Sequence, residues 1–310
     1  MMKKDFVFKG VYPAVNLPMF DDMSIDEEGF RKHIRWLLTF DNLSGLVISG
    51  HAGELESLTP EERIRVVKIA KEETGDRRPL IVGVTGLSTG EAVRCAQDAK
   101  MAGADGLLVM PIPHFSFGAV DKPEIVVPYF KALADAVDLP MIVFRYHAES
   151  GLMYTVDVLL AIAEAVPQVK AIKDASFRYE ESWVAFRYFP RKISVLVAHG
   201  SLFLIRFLTS DGAVSSFSNV CPEYILKLYD LASAGKLDEA TEVFAQVRKI
   251  SDAIYHKAPL MQHWVVEKEV LKARGRFSNS TCRPPFQPLH PDLIETIKKA
   301  VETSGLPKYE

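Results

Sequence analysis

Lys173 closes the short apolar run VKAIKDAS (169–176) and is followed at once by Asp174. A lysine in that place has two readings. Its flexible stem can carry the ammonium out to water, or the amine can be held dry. Desolvation disfavours the charged form, so a dry amine stays nucleophilic near neutrality and can attack a carbonyl carbon. The other residues able to do chemistry also fall at the ends of apolar runs: His51, Thr85, His114, the stretch Phe144 to His147, and His199. Four of the eight histidines are among them, which raises a second chemistry, a metal ion polarising a carbonyl. No HxxxH-type spacing joins these histidines, and loop histidines that merely hydrogen-bond are common, so no metal site is expected.

Residues scattered over so much sequence need a frame that brings them together. Apolar, β-rich runs recur along the chain at 10–17, 44–49, 79–84, 105–110, 140–144, 169–173, 193–198 and 211–217. Runs that are apolar throughout suit strands covered on both faces, as in a parallel sheet. Segments with helical spacing lie between them. Ser24 with Glu27 and Thr59-Pro60 with Glu62 carry capping-box signatures for the first two. Eight β-α units point to a closed (β/α)₈ barrel. An open doubly wound sheet is the alternative, but PAVNLPMFDD after the first strand is not a glycine-rich phosphate loop. In a barrel the reactive residues gather at the C-terminal ends of the strands. Val169, Ala171 and Lys173 are then expected on one strand face, with the amine pointing inward.

The barrel is expected over residues 1–220 and a helical appendage, packed on it, over 221–310. Leu237, Ala240, Val243, Phe244, Val247, Ile250 and Ile254 trace a helical stripe. Ala234-Gly235 before it reads as a helix stop, residues 276–291 as a proline-rich connector, and DLIETIKKAVETS as a last helix.

Composition narrows the function classes. With 48% hydrophobic and 25% charged residues the chain reads as a soluble globular protein. Its net charge of −3 gives no reason to expect nucleic acid or an anionic membrane as partner. Cys95, Cys221 and Cys282 form neither a disulfide framework nor a metal spacing, which fits a reducing compartment. Lys9 and Pro13 interrupt any N-terminal apolar stretch, and no run approaches the ~18 apolar residues of a membrane span. The expectation is a cytoplasmic protein.

With these motifs in hand, the sequence resembles the dihydrodipicolinate synthase/N-acetylneuraminate lyase family of class I aldolases over nearly its whole length, from GVYPAVNLPM to RPPFQPL. GHAGELESLTPEER (50–63) is similar to that family's Gly-Thr/Ser-Thr-Gly-Glu loop, VKAIKDAS to its Schiff-base strand, and DGAVSSFSNVCPE to its eighth strand. The resemblance implies a lyase that needs no cofactor, with Lys173 forming an imine to a pyruvate-type 2-oxo acid. It also implies main-chain N–H groups near His51, Ala52 and Gly53 on the substrate carboxylate, with Gly50 and Gly53 letting the backbone come close. Val214 and His147 join the binding residues, and Glu54 is expected as a buried, hydrogen-bonded turn residue. Family members are commonly tetramers built as dimers of dimers, so a homotetramer is expected.

The departures are equally informative. The family's catalytic tyrosine at the end of strand five falls on Phe144, which has no proton to relay. The two hydroxyl residues of the carboxylate loop fall on His51 and Ala52, and the arginine that grips the synthases' second substrate falls on Glu149. Tyr146, two residues on from Phe144, and His51 are the replacements expected to move protons. The missing relay and anchor argue against the lysine-biosynthesis enzyme. They favour an aldolase or dehydratase of a 2-keto-3-deoxy sugar acid, with Arg145, Glu149 and the histidines facing its hydroxyls. A barrel that still binds such an acid but has lost catalysis is one alternative, and a metal-dependent lyase is another.

Overall fold

Each of the eight apolar runs carries a strand: β1 (Gly10–Pro13), β2 (Leu46–Ile48), β3 (Leu80–Val84), β4 (Gly106–Val109), β5 (Met141–Arg145), β6 (Val169–Asp174), β7 (Ser194–Val197) and β8 (Gly212–Ser215). The computed structural model describes residues 6–255 and 262–309. Every strand residue except Lys170 is buried, as expected of a sheet covered on both faces. All paired neighbours are parallel, in the order β1-β8-β7-β6-β5-β4-β3-β2. A bridge between Ala14 and Val47 brings β1 against β2 and closes the circle, with the Val15 N–H donating to the Val47 carbonyl at 2.9 Å. The result is a (β/α)₈ barrel followed by C-terminal helices. At the β1–β8 seam Gly212 has φ +148°, and a Cβ there would stand 1.9 Å from the Gly10 carbonyl oxygen, so only glycine fits.

The helices between strands are α1 (Glu27–Leu37), α2 (Pro60–Thr74), α3 (Thr89–Met101), α4 (Pro123–Ala136), α5 (Val156–Ala165), α6 (Tyr179–Arg187) and α7 (Phe203–Phe207). After β8 come α8 (Phe217–Val220), α9 (Pro222–Ser233), α10 (Leu237–Tyr255), α11 (His263–Ala273) and α12 (Pro291–Ser304). No helix among the described residues is long and apolar enough to cross a membrane. Strand alternation divides the apolar residues into two layers. Tyr12, Val47, Ile81, Leu108, Ile142, Leu196 and Val214 fill the barrel, while a larger cluster lies between strands and helices.

Local expectations held where short-range chemistry decides and failed where it does not. Thr59 and Glu62 form a complete capping box on α2. On α1, however, the cap is Asp26, which accepts from the Gly29 N–H at 2.8 Å, while the Ser24 hydroxyl donates to Asp22. Gly235 ends the α9 turn at φ +73°. In α10 the stripe from Ala240 to Ile254 is buried except Phe244, which is partly covered, whereas Leu237 in the first turn is 47% exposed. Val169 does not share a face with Ala171 and Lys173. The β5–β6 register slips at Lys170, so Val169 packs in the outer layer while Ala171 faces inward.

Helix α11 carries three consecutive charged residues, all buried: Glu267, Lys268 and Glu269. Successive helix positions point in different directions, so each meets a different partner. Lys268 forms a fully buried ion pair with Glu54, in the loop after β2, and donates to the Thr281 carbonyl at 2.7 Å. Glu269 accepts from the Ser280 hydroxyl at 2.5 Å. The second Glu54 oxygen accepts from the Arg283 N–H at 3.0 Å. This clamp fastens α11 and the proline-rich connector over the strand ends. Replacing Lys268 by Met leaves the Glu54 charge buried and unpaired, so denaturant unfolding should show a loss of about 3–5 kcal/mol.

Candidate active site

Ala171 and Lys173 point into the barrel, and the Lys173 Nζ lies 3.9 Å from the centroid of the Phe144 ring on the adjacent strand. Lys173 is 9% exposed. Burial lowers its pKa to about 7, opposed by the nearby charge of Glu267. The amine is therefore neutral in a large fraction of molecules at physiological pH, which is the state that attacks carbonyls. Its neighbour Asp174 faces the opposite way. One Asp174 oxygen accepts from Ser176, the other from Ser182 at 2.6 Å and Arg145 at 3.1 Å.

A cavity of about 120 Å³ opens beside Lys173, walled by Ala52, Phe144, His147, His199, Val214 and Glu267 among others. That is well below the roughly 300 Å³ and more that drug-sized ligands occupy, and it suits a small acid. Burial pushes His199 and His263 down to about 4, and His147 in the same direction, so these rings stay neutral near pH 7. The His199 Nε2 bonds the Ala175 carbonyl at 2.6 Å. Among the described residues no group of three or more His, Cys, Asp and Glu could hold a metal ion.

The loop after β2 forms a 3₁₀ turn over His51–Gly53. Its Gly53 N–H donates to the Gly50 carbonyl and its Glu54 N–H to the His51 carbonyl, so Gly53 is not a carboxylate donor as expected. Neither Gly50 nor Gly53 has a positive φ; the left-handed residues are Ser49 and Glu54, which flank the turn, both at φ 54°. Ala52 and His51 do reach the cavity. The His51 Nδ1 lies 3.0 Å from a Glu56 carboxylate oxygen, and its ring stacks on Trp264 with centroids 6.0 Å apart.

Arg145 is not a ligand-facing residue. It alternates with Phe144 and Tyr146, so it points to the outer side of the barrel, where Asp174, Glu181, Ser182 and the Tyr154 carbonyl occupy its guanidinium. Glu149 is exposed and 3.7 Å from His147. Tyr146 packs on Phe144 and His51 but lines a larger neighbouring cavity, of about 610 Å³, together with Glu56, Arg63, Thr85 and Arg94. His114 is an exposed rim residue bonded to the Leu87 carbonyl.

The residues that sequence reasoning missed come from three places: Asn16 after β1, Ser216 after β8, and Tyr255, Trp264 and Glu267 on the C-terminal helices. Glu267 is 1% exposed, accepts from the Ser216 hydroxyl at 2.6 Å and from the Asn16 amide at 3.3 Å, and lines the same cavity as Lys173. Burial raises its pKa to about 7, against those hydrogen bonds and the Lys173 charge. One signal was available. In HWVVEKEVLKA three charges sit between Val265-Val266 and Val270-Leu271, so no rotation of the helix exposes all the charges while burying the apolar residues.

The family model described as the dihydrodipicolinate synthetase family matches residues 7–304. A 4-hydroxy-tetrahydrodipicolinate synthase from Gluconacetobacter diazotrophicus is 29% identical, over 97% of this chain and 98% of its own length. Among solved structures, dihydrodipicolinate synthase from Aquifex aeolicus superposes with a TM-score of 0.86 at 22% identity, over 98% of this chain and all of its own. YagE, a prophage protein from E. coli K12 solved in complex with pyruvate, gives 0.85 at 23%, over 96% of this chain and 98% of its own. A family match across almost every residue, on a barrel closed in this way, means that the chain belongs to the dihydrodipicolinate synthetase family, a family of lyases of the class I aldolase type.

Proposed function

We propose that Lys173 forms a Schiff base with a 2-oxo acid, and that the protein cleaves or dehydrates a 2-keto-3-deoxy sugar acid or a close relative. The observation that carries this reading is a desolvated amine, lowered to about 7, in the wall of a cavity sized for a small acid. The substrate carboxylate sits on the N–H groups of His51 and Ala52. The neutral amine adds to C2, water leaves, and the resulting iminium draws electrons from C3. Breaking the C3–C4 bond gives the aldolase outcome. Loss of a C3 proton followed by departure of the C4 hydroxyl gives the dehydratase outcome. YagE was solved with pyruvate, itself a 2-oxo acid, which supports the ligand class.

The relative from Gluconacetobacter diazotrophicus bears the synthase name. The reading departs from that name on two residues: Phe144 where a tyrosine is expected, and Glu149 where an arginine is expected to anchor the second substrate. Tyr146, expected to replace the relay, packs on Phe144 and lines the other cavity. His51, oriented by Glu56, is the proton carrier on the outer side of the substrate. Phe144 also favours a second reading, a barrel that binds 2-oxo acids without turning them over. The proposal includes assembly as a cytoplasmic homotetramer.

Incubation with pyruvate and cyanoborohydride, followed by mass measurement, tests the imine. The wild type should gain one reduced pyruvate, and Lys173→Ala should gain none. No adduct in the wild type at any pH would overturn the reading. An adduct without turnover of any keto-deoxy sugar acid would favour the binding protein. The second expectation concerns pH. Burial lowers the Lys173 pKa on folding, so the reactive neutral amine appears as pH rises through about 7 rather than above 10. Labelling of Lys173 by an amine-reactive acylating agent should accordingly reach half its maximal rate near pH 7, about three pH units below an ordinary surface lysine.

A further inference from the structure

We infer that Glu267 is a catalytic acid and base of this site, carrying the protons that a strand-five hydroxyl cannot. The inference rests on the Schiff-base reading and concerns the same cavity. Glu267 and Lys173 wall it together, one from α11 and the other from β6. The carboxyl is held in place on both oxygens, by the Ser216 hydroxyl at 2.6 Å and the Asn16 side-chain amide at 3.3 Å.

Elimination among the neighbours points the same way. The titratable groups that wall the cavity with Glu267 are His51 after β2, His147 after β5, Lys173 on β6, His199 after β7, Tyr255 on α10 and His263 on α11. Cys221, ahead of α9, and Lys173 also act on its charge or are acted on by it. Burial keeps the three inner histidines neutral near pH 7, where they have no proton to give as acids of ordinary strength. Burial drives the Tyr255 hydroxyl and the Cys221 thiol upward, so neither ionises near neutrality. His51, the outer proton carrier, is held by Glu56 between the two cavities and leaves the inner side of the substrate to another group. Glu267, raised to about 7, is the inner group that can both give and take a proton at neutral pH.

The neutral Lys173 amine adds to C2 of the 2-oxo acid, and an N–H proton passes to the former carbonyl oxygen, giving a neutral carbinolamine. The Glu267 carboxylic acid protonates that hydroxyl as the C–O bond breaks. Water leaves, and the products are an iminium at Lys173 and a Glu267 carboxylate. The carboxylate then takes a proton from C3, the C–H electron pair forms the enamine double bond, and Glu267 is again a carboxylic acid. No external acid, base or oxidant is consumed.

Exchange of the pyruvate methyl protons with deuterium oxide, followed by proton NMR, reads enamine formation. Reductive trapping at Lys173 reads the imine separately. In Glu267→Gln, which keeps the shape and acceptor oxygen of the side chain, trapping should still reach one adduct per chain, more slowly, while exchange near pH 7 falls about 10²- to 10⁴-fold. The wild-type exchange rate should fall on both sides of neutrality, and the alkaline limb should disappear in Glu267→Gln. Ser216→Ala removes a donor to the carboxylate and should move that limb to higher pH with Glu267 still present. Exchange in Glu267→Gln within threefold of wild type, or a limb unmoved in Ser216→Ala, would overturn the inference while leaving the Schiff base standing. Absence of trapping in the wild type would remove both.

Discussion

A cavity at the mouth of an apolar barrel must hold an amine without hydrating it. Leaving an isolated ammonium there would be expensive, and the protein meets the problem by letting the group lose its proton more readily. The Phe144 ring face, 3.9 Å from Nζ, offers some attraction to whatever fraction stays charged, worth about 0.5–2 kcal/mol in such contacts. Glu267 adds an opposing group whose own burial pushes it the other way, to about 7. Desolvation thus draws the two groups together from opposite ends of the pH scale. Charge brought into the cavity they both line, such as an incoming carboxylate or a newly formed iminium, then acts on both groups at once.

That balance depends on α11 being held in one rotation. Glu267 and Lys268 are adjacent in sequence, so the ion pair from Lys268 to Glu54 also fixes where the Glu267 carboxyl points. Glu54 in turn ends the turn that presents His51 and Ala52. Asn16 bridges the same parts from below, donating from one amide nitrogen to both the Ala52 carbonyl and Glu267, each at 3.3 Å. Arg283 ties the connector to the start of α2 through a paired contact with Glu62 at 2.7 Å. The proposed carboxylate seat and the acid are parts of one framework, although they come from opposite ends of the chain.

What could be read from the sequence follows the range of the forces involved. The eight strands were legible because burial on both faces leaves an unbroken apolar signature, and Lys173 was legible as the exception that ends one of them. The α2 cap was legible because its partners are three residues apart. The slip at Lys170 was not, since it is set by pairing with β5 rather than by anything local. Arg145 was misplaced by treating a polar residue near the site as facing it, when alternation after Phe144 turns it outward to Asp174, 29 residues away. Glu267 was missed for the same reason in stronger form: its partners Asn16 and Ser216 are 251 and 51 residues distant, and a charged helix reads as solvated until they are known.

Replacing a strand-five tyrosine by Phe144 keeps a ring beside the amine and deletes one proton from the site. The buried polar chain behind Glu267 bears on where that proton now resides. His33 Nε2 bonds the Asn219 side-chain Oδ1 at 2.8 Å, the Asn219 side-chain amide donates to Asn16 Oδ1 at 2.8 Å, and Asn16 donates to Glu267. Burial lowers His33 to about 3, so it stays neutral at any ordinary pH. The two amides between do not ionise. This chain therefore orients the carboxyl without draining its proton, and its other partner, the Ser216 hydroxyl, borders the cavity that Lys173 shares.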